Sequence, residues 1–444
     1  MSRDGGGVAA RIALTLLVAV GAPLLARIPL PGVDVTSLQL VSFDRAIMGI
    51  FALELHPFLS AALLVEVLAL VVPRWRAWRL GGYLERDHLW RRVAAVALLL
   101  LTVQAFFVIR WMMHSERVFD PLSLTGWAPH TPLAFMAVLV TLVGGSFLLY
   151  WLTRLIDSRG AGNGFSVMLM AFLAPPTLAE LISSARHRLD GGAPILFPLA
   201  AAAVAVAAVT RLAGGGSLRP HVVPNGREQL PTPASGLYPL GASQSLLNIP
   251  AQLAVLEVIA LPPALTAGTW TYRAAQIALI AGLGTLTTWM FNRPRVVAQA
   301  WREADGVGTA FARSLALSVV VCWGLAAVEW LCADAKLAVS VVNLAVLACV
   351  AADVVGELRF RQRHGALARV WPVHRLYVLQ SMLSALAAAG IPAFPRGRRH
   401  RTLWNFLAPF VPVDILVPVE QADRARTIVL PLSGSEVHSP AHEA

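Results

Sequence analysis

Glu54, His56, Pro57, Ser60 and Glu66 all fall inside one apolar run, IFALELHPFLSAALLVEVLAL (Ile50–Leu70). Charged groups are expensive at bilayer depth, so they face a protein interior or an aqueous cavity, and a helix-breaking proline must have its freed backbone groups satisfied there. Together with Glu257, these carboxylates and the imidazole are the residue types of a proton relay. Glu54 and His56 flank Leu55, a placement that suits an outward-facing vestibule where hydration makes charge cheap. Two further apolar runs carry amides, Gln104 in LTVQAFFV and Gln244 in GASQSLLNIPAQLAVLEVIALPP. An interhelical polar contact in a bilayer is worth roughly 0.6–2 kcal/mol, which suits either a static polar pair or a seam that opens. Cys322, Cys332 and Cys349 have no CxxC spacing and lie in or beside apolar runs, so they read as free buried thiols. No metal set, cofactor motif or catalytic constellation stands out, and the chain does not read as an enzyme.

The elements that position these residues are membrane spans. Of 444 residues 57% are apolar and 14% charged, with a net charge of +11 and a mean hydropathy of +0.65. About ten apolar runs of spanning length recur: 8–28, 50–72, 92–113, 132–156, 165–184, 193–212, 241–265, 271–291, 312–331 and 337–358. The fifth is expected to break at Pro175-Pro176, before Glu180. Arginine sorts the connections: Arg74, Arg76, Arg79, Arg86, Arg91 and Arg92, then Arg159, then Arg219 and Arg227, then Arg293, Arg295 and Arg302, then Arg359, Arg361 and Arg363 share one side. The positive-inside rule puts that side, and both termini, in the cytoplasm. Lys336 is the only lysine, a skew that reflects coding bias more than function. The first run ends on a turn at Pro29, Pro31 and Gly32 without a small-residue cleavage site, so no cleaved leader is expected. Five spans per half permit an inverted repeat with a pathway at the midplane.

Beyond Phe360 the pattern changes. LYVL (376–379), QSMLSALAAAG (380–390), IPAFPRG (391–397) and VDILVPVEQADRARTIV (413–429) read as strand, helix, strand, then strand and helix, a small α/β unit with a ferredoxin-like half. The division is therefore 1–358 for the membrane domain, with halves at about 8–184 and 193–358, then 359–432 for the α/β domain and 433–444 for a disordered tail. Within the α/β part, Arg396, Arg398, Arg399, His400 and Arg401 with Trp404 form a basic, aromatic cluster. It reads as a solvated loop or as a surface for RNA, anionic lipid or an acidic partner.

Five pieces in order resemble the SecY family of protein-conducting channels. They are IPLPGVD (Ile28–Asp34), IFALELHPFLSAALLVEVL (Ile50–Leu68), Gln104, the RGAGNG turn inside YWLTRLIDSRGAGNGFSVML (Tyr150–Leu169), and FNRP (Phe291–Pro294) with Asp353. The resemblance implies an all-α polytopic bundle of about ten helices in two five-helix inverted repeats, followed here by the α/β domain. It implies passage or lateral insertion of unfolded polypeptide through an hourglass pore in the bacterial plasma membrane. By position the apolar pore ring would be Leu55, Leu59, Phe165, Leu169, Ile249 and Leu344; the bland alternative is ordinary buried packing. Gln104 and Gln244 would flank the lateral gate. The turn Arg159, Gly160, Gly162, Asn163 and Gly164 would fix where Phe165 and Leu169 meet the pore; it follows no strand and is no phosphate loop.

The implied partners are SecE-like and SecG-like small membrane subunits, the SecA motor or a ribosome, the unfolded substrate and the lipid bilayer. Three places depart from the family pattern. Val35–Ser42 is short for a plug, the 213–240 loop lacks a basic tip, and Arg293–Gly308 is short for motor or ribosome docking. A non-translocating scaffold and a small-solute transporter are the competing readings.

Overall fold

A computed structural model describes residues 7–32, 49–80, 83–114, 132–190, 196–214, 235–255, 266, 268–292, 307–337, 339–407 and 410–433. The plug segment (35–42), most of the 213–240 and 293–308 loops, Glu257 and the tail from 434 lie outside the described residues. The helices of the membrane part are α1 (Val8–Leu25), α2 (His56–Val71), α3 (Pro73–Leu80), α4 (Tyr83–His114), α5 (Pro132–Arg159) and α6 (Gly164–Asp190). They continue with α7 (Leu196–Ala213), α8 (Tyr238–Val255), α9 (Trp270–Phe291), α10 (Val307–Asp334) and α11 (Val341–His364). Eight of these are long and apolar enough to cross a bilayer, and α2 with α3, bent by 114°, makes a ninth. The remaining expected span, α8, carries Ser243, Gln244, Asn248 and Pro250, and its polarity keeps it out of that set.

Several expected boundaries shift for physical reasons. The second span begins at His56, not Ile50, because residues 50–55 form successive turns and Pro57 suits the first helical turn, where an amide donor is not needed. α6 runs unbroken through Pro175 and Pro176; membrane helices tolerate proline where neighbours re-satisfy the freed carbonyls.

The chain divides into two compact units, Met1–Phe172 and Leu173–Ala444. In the first, α1 packs on α5, α2 on α4, and α4 on α5. In the second, α7 packs on α10, α8 on α9, and α9 on α10. Counting helices from α1 (α2 with α3 as one) and from α7, the pairs first–fourth, second–third and third–fourth occur in both, while α11 packs on α7 in the second. Small residues make the contacts close: Ala61, Ala62, Ala69, Ala97 and Ala105 are almost fully buried, letting α2 and α4 approach. Leu17, Val20, Phe107 and Val140 are exposed, as lipid-facing positions are.

The C-terminal part holds β1 (Leu367–Val373), α12 (Leu376–Ala388), β2 (Phe394–Arg396), α13 (Arg398–Leu403), β3 (Val413–Pro418) and α14 (Ala422–Val429). The sheet order is β1-β3-β2 with β3 antiparallel to both neighbours, a split βαβ of the ferredoxin-like kind. One expected strand is corrected: LYVL opens α12, and the strand is LARVWPV, just before it. Leu376, Leu379, Met382 and Leu386 recur at helical spacing and fill the core with Val413, Ile415 and Val417.

Candidate functional site

The RGAGNG turn is fastened from both sides. At Gly162 φ is +82°, a region glycine adopts without strain. A Cβ on Gly164 would lie 1.8 Å from the Thr153 carbonyl oxygen, and one on Gly160 would lie 2.7 Å from Thr15 Oγ1. The Ala161 N–H donates to Thr15 Oγ1 at 2.8 Å, and Arg11 donates to the Gly160 carbonyl at 3.3 Å, so α1 grips the turn. Asp157 accepts the Gly164 N–H at 2.7 Å. Asn163 caps α6, its Oδ1 accepting the Ser166 N–H at 3.0 Å, the cap geometry that satisfies an orphan donor of the first turn. Arg159 closes α5, where a cation complements the helix dipole. This knot sets the start of α6, and with it Phe165 (buried) and Leu169 (half-buried) one turn on.

The start of α2 is built by a backbone wedge. The Ile50 N–H donates to the Ile28 carbonyl at 3.0 Å, and Pro29 bridges Gly49. A Cβ on Gly49 would sit 1.8 Å from the Ala26 carbonyl oxygen, and one on Gly145 of α5 would sit 2.0 Å from that of Ile50. Phe58 stacks on Tyr150 at 5.2 Å. Leu55 is buried and Leu59, one turn later, half-buried. Glu54 adopts φ +46°, uncommon for a side chain with a Cβ, and lies 3.6 Å from a largely exposed His56.

Glu66 is not available as a relay group. Arg79 Nε donates to its Oε2 at 2.6 Å, and both side chains are buried. The pair closes the bend between α2 and α3, while Arg76 Nε caps α2 by donating to the Leu70 carbonyl at 3.1 Å.

In the second unit, Gln244 donates its amide to Glu329 Oε2, and Glu329 Oε1 accepts the Val342 N–H of the first turn of α11 at 3.4 Å. Ser340 caps that turn through the Asn343 N–H at 3.3 Å. The Asn343 amide reaches Thr177 of α6 at 3.4 Å. One carboxylate therefore ties α8, α10 and the start of α11, beside half-buried Leu344. Ser318 Oγ accepts the Ser235 N–H at the start of this region. Glu329 is eleven residues farther along α10, about 16 Å, near the end of that helix at Asp334. Gln104 is half-buried on α4, and the side chain of Ile249 lies outside the described residues.

The basic cluster faces inward, correcting the solvated or ligand-binding reading. Arg396 pairs with Asp414 at 2.6 Å. Arg399 pairs with Asp353 at 3.0 Å, and Asp353 also accepts the N–H groups of Arg399 and His400 at 2.9 and 3.3 Å. Arg401 donates to Asn405 Oδ1 at 2.9 Å and to the Trp404 carbonyl at 3.2 Å. His400 is fully buried, and burial, with Arg401 alongside, pushes its imidazole down to about 3. Burial likewise lowers the Arg398 guanidinium.

With this scaffold in place, the comparisons decide the family: a family model described as SecY matches residues 49–309. The chain belongs to the SecY family. Protein translocase subunit SecY of Thermus thermophilus is 30% identical over 192 residues, 39% of this chain and 42% of that protein. The Escherichia coli (strain K12) protein of the same name is 27% identical over 195 residues, 39% of this chain and 43% of that one. The chain thus aligns with under half the length of these curated SecY relatives. A solved chain described as "The structure of a protein conducting channel" is 13% identical, with a TM-score of 0.46, covering 79% of this chain and 92% of that one.

Sequence reasoning missed Glu329, Arg79 and Thr15 in this SecY-family chain. A carboxylate within the apolar LAAVEWLCAD was the available signal for Glu329. The polar partners of Arg79 and Thr15 are remote in sequence and leave no local pattern.

Proposed function

We propose that this chain is the channel subunit of a protein-conducting pore that passes unfolded polypeptide across the membrane or releases it sideways. The observation that carries the reading is family membership across 49–309, a range that holds the fastened turn before α6 and the start of α2. Those two elements carry Leu55, Leu59, Phe165 and Leu169 at i, i+4 spacing, suited to an apolar constriction that blocks ions by dewetting. With Ile249 and Leu344 they form the proposed ring, and Gln104 and Gln244 the proposed seam. The curated relatives are named translocase subunits, which supports the same assignment.

The proposed division is a membrane domain (1–358) with halves at about 8–184 and 193–358, then the α/β domain to 432. The proposed setting is the bacterial plasma membrane with both termini cytoplasmic. SecE-like and SecG-like small subunits are the proposed membrane partners, with SecA or a ribosome supplying the driving force. No bond-making step is assigned to any residue. Commitment of Glu66 to Arg79 weighs against a proton-coupled solute transporter.

The test places Leu59→Cys and Ile249→Cys in the intact chain and presents a secretory polypeptide arrested in transit. Crosslinks from both positions to the arrested chain are expected. Their absence from both, with the protein inserted and folded, overturns the conducting role in favour of a scaffold.

A further inference from the structure

The segment from Arg396 to Leu407 touches three helices of the second unit: α11, the end of α7 and the start of α8. On one side it holds α7 and α11. Arg399 pairs with Asp353 of α11 at 3.0 Å, and a Cβ on Gly214, just after α7, would lie 3.0 Å from Arg399 Nε. Phe394 stacks with Phe360 of α11 at 5.7 Å between ring centroids. On the other side it holds the first turn of α8. The Leu237 N–H donates to the Leu403 carbonyl at 2.9 Å. Gly236 has φ +60°, and a Cβ there would lie 2.0 Å from the Leu403 carbonyl oxygen. The Tyr238 ring meets Phe406 at 5.6 Å, edge to face. The Trp404 ring lies beside Gly241, 3.5 Å from where a Cβ would sit, an ordinary packing distance.

We propose that this segment is a clamp built into the chain, holding the gate helix α8 to α7 and α11, so that α8 moves outward only when the Leu403–Phe406 contacts let go. The proposal rests on the reading of α8 as a gate helix. Its physical basis is that α8 is held near two places only a few turns apart. One is the Gln244–Glu329 node, and the other is the Leu237–Leu403 contact at the helix start. The α/β domain is therefore a part of the gate's support.

The experiment uses the full chain in lipid nanodiscs, with amide hydrogen exchange followed segment by segment. Gly236→Val drives a side chain into the Leu403 carbonyl; Trp404→Ala removes the ring beside Gly241 and is the milder variant. Both are expected to speed exchange across 238–255 by about tenfold or more through local opening, while 270–291 and 413–418 keep their protection. Unchanged exchange in 238–255 in both variants overturns the clamp. Loss of protection in 270–291 and 413–418 as well, in both variants, also overturns it, because the segment would then be ordinary core. The Leu59→Cys and Ile249→Cys crosslinks are read in parallel. If 238–255 loosens selectively while neither Leu59→Cys nor Ile249→Cys crosslinks to the arrested chain, the clamp on α8 stands and the conducting role fails.

Discussion

At Glu66 a carboxylate with the type and placement of a proton carrier is spent on holding a bend. Removing one partner of a buried pair strands the other, at a cost of roughly 3–5 kcal/mol, whereas removing both together costs less. Glu66→Gln and Arg79→Gln singly should each lower the thermal midpoint sharply, and the double variant should recover part of the loss; a double-mutant cycle in detergent measures this. At the RGAGNG turn, Asn163→Ala should cost about 1 kcal/mol, the value of a cap. Gly164→Ala should be worse, since its Cβ meets the Thr153 carbonyl oxygen at 1.8 Å and backbone must move. Comparing midpoints of the two variants checks the order. These roles were unevenly legible: the glycines and Asn163 announce a tight turn by type, but Thr15, which receives the Ala161 N–H, is distant in sequence by 146 residues.

Among the elements, α13 shows how composition can mislead. Four arginines and a histidine in RGRRHR look like a solvated patch, yet Asp414, Asp353 and Asn405 take up Arg396, Arg399 and Arg401. Those acceptors lie on other elements or later in the chain, so no local period marks them. Burial holds the His400 imidazole neutral, with its ionisation moved from 6.5 down to about 3. The unfolded state then binds the extra proton over that window, so the folded domain is most stable above about pH 6.5 and loses stability as pH falls, by about 1.4 kcal/mol per unit. Limited proteolysis of the α/β domain between pH 7 and 5 should show increasing cleavage on the acid side, and His400→Gln should remove most of that slope. The mistaken strand at LYVL has a similar cause: four apolar residues cannot tell a buried strand from the first turn of a helix, and Leu383 and Leu386 downstream supply the deciding period.

On the scale of the whole molecule, the membrane helices were the most legible feature, because bilayer thickness imposes a length that apolar runs display directly. The duplicated pairing of helices was legible only as a permitted count, since pair identity depends on side chains far apart in sequence. The attachment of the α/β domain to the second unit was not legible at all. Truncation after Gly365 should therefore lower the stability of α7, α8 and α11 while leaving the Met1–Phe172 unit intact, as hydrogen exchange of the two units would show. Asp353 also dictates an order of manufacture. Its carboxylate arrives with the last membrane helix, and the arginine that needs it is translated 46 residues later. Chains emerge N-terminus first, so the seating of the α/β domain on Asp353 comes after α11 has been made. A misthreaded last helix would leave Arg399 without its anchor and the newborn domain loose, a visible flaw on which cellular proteases could act.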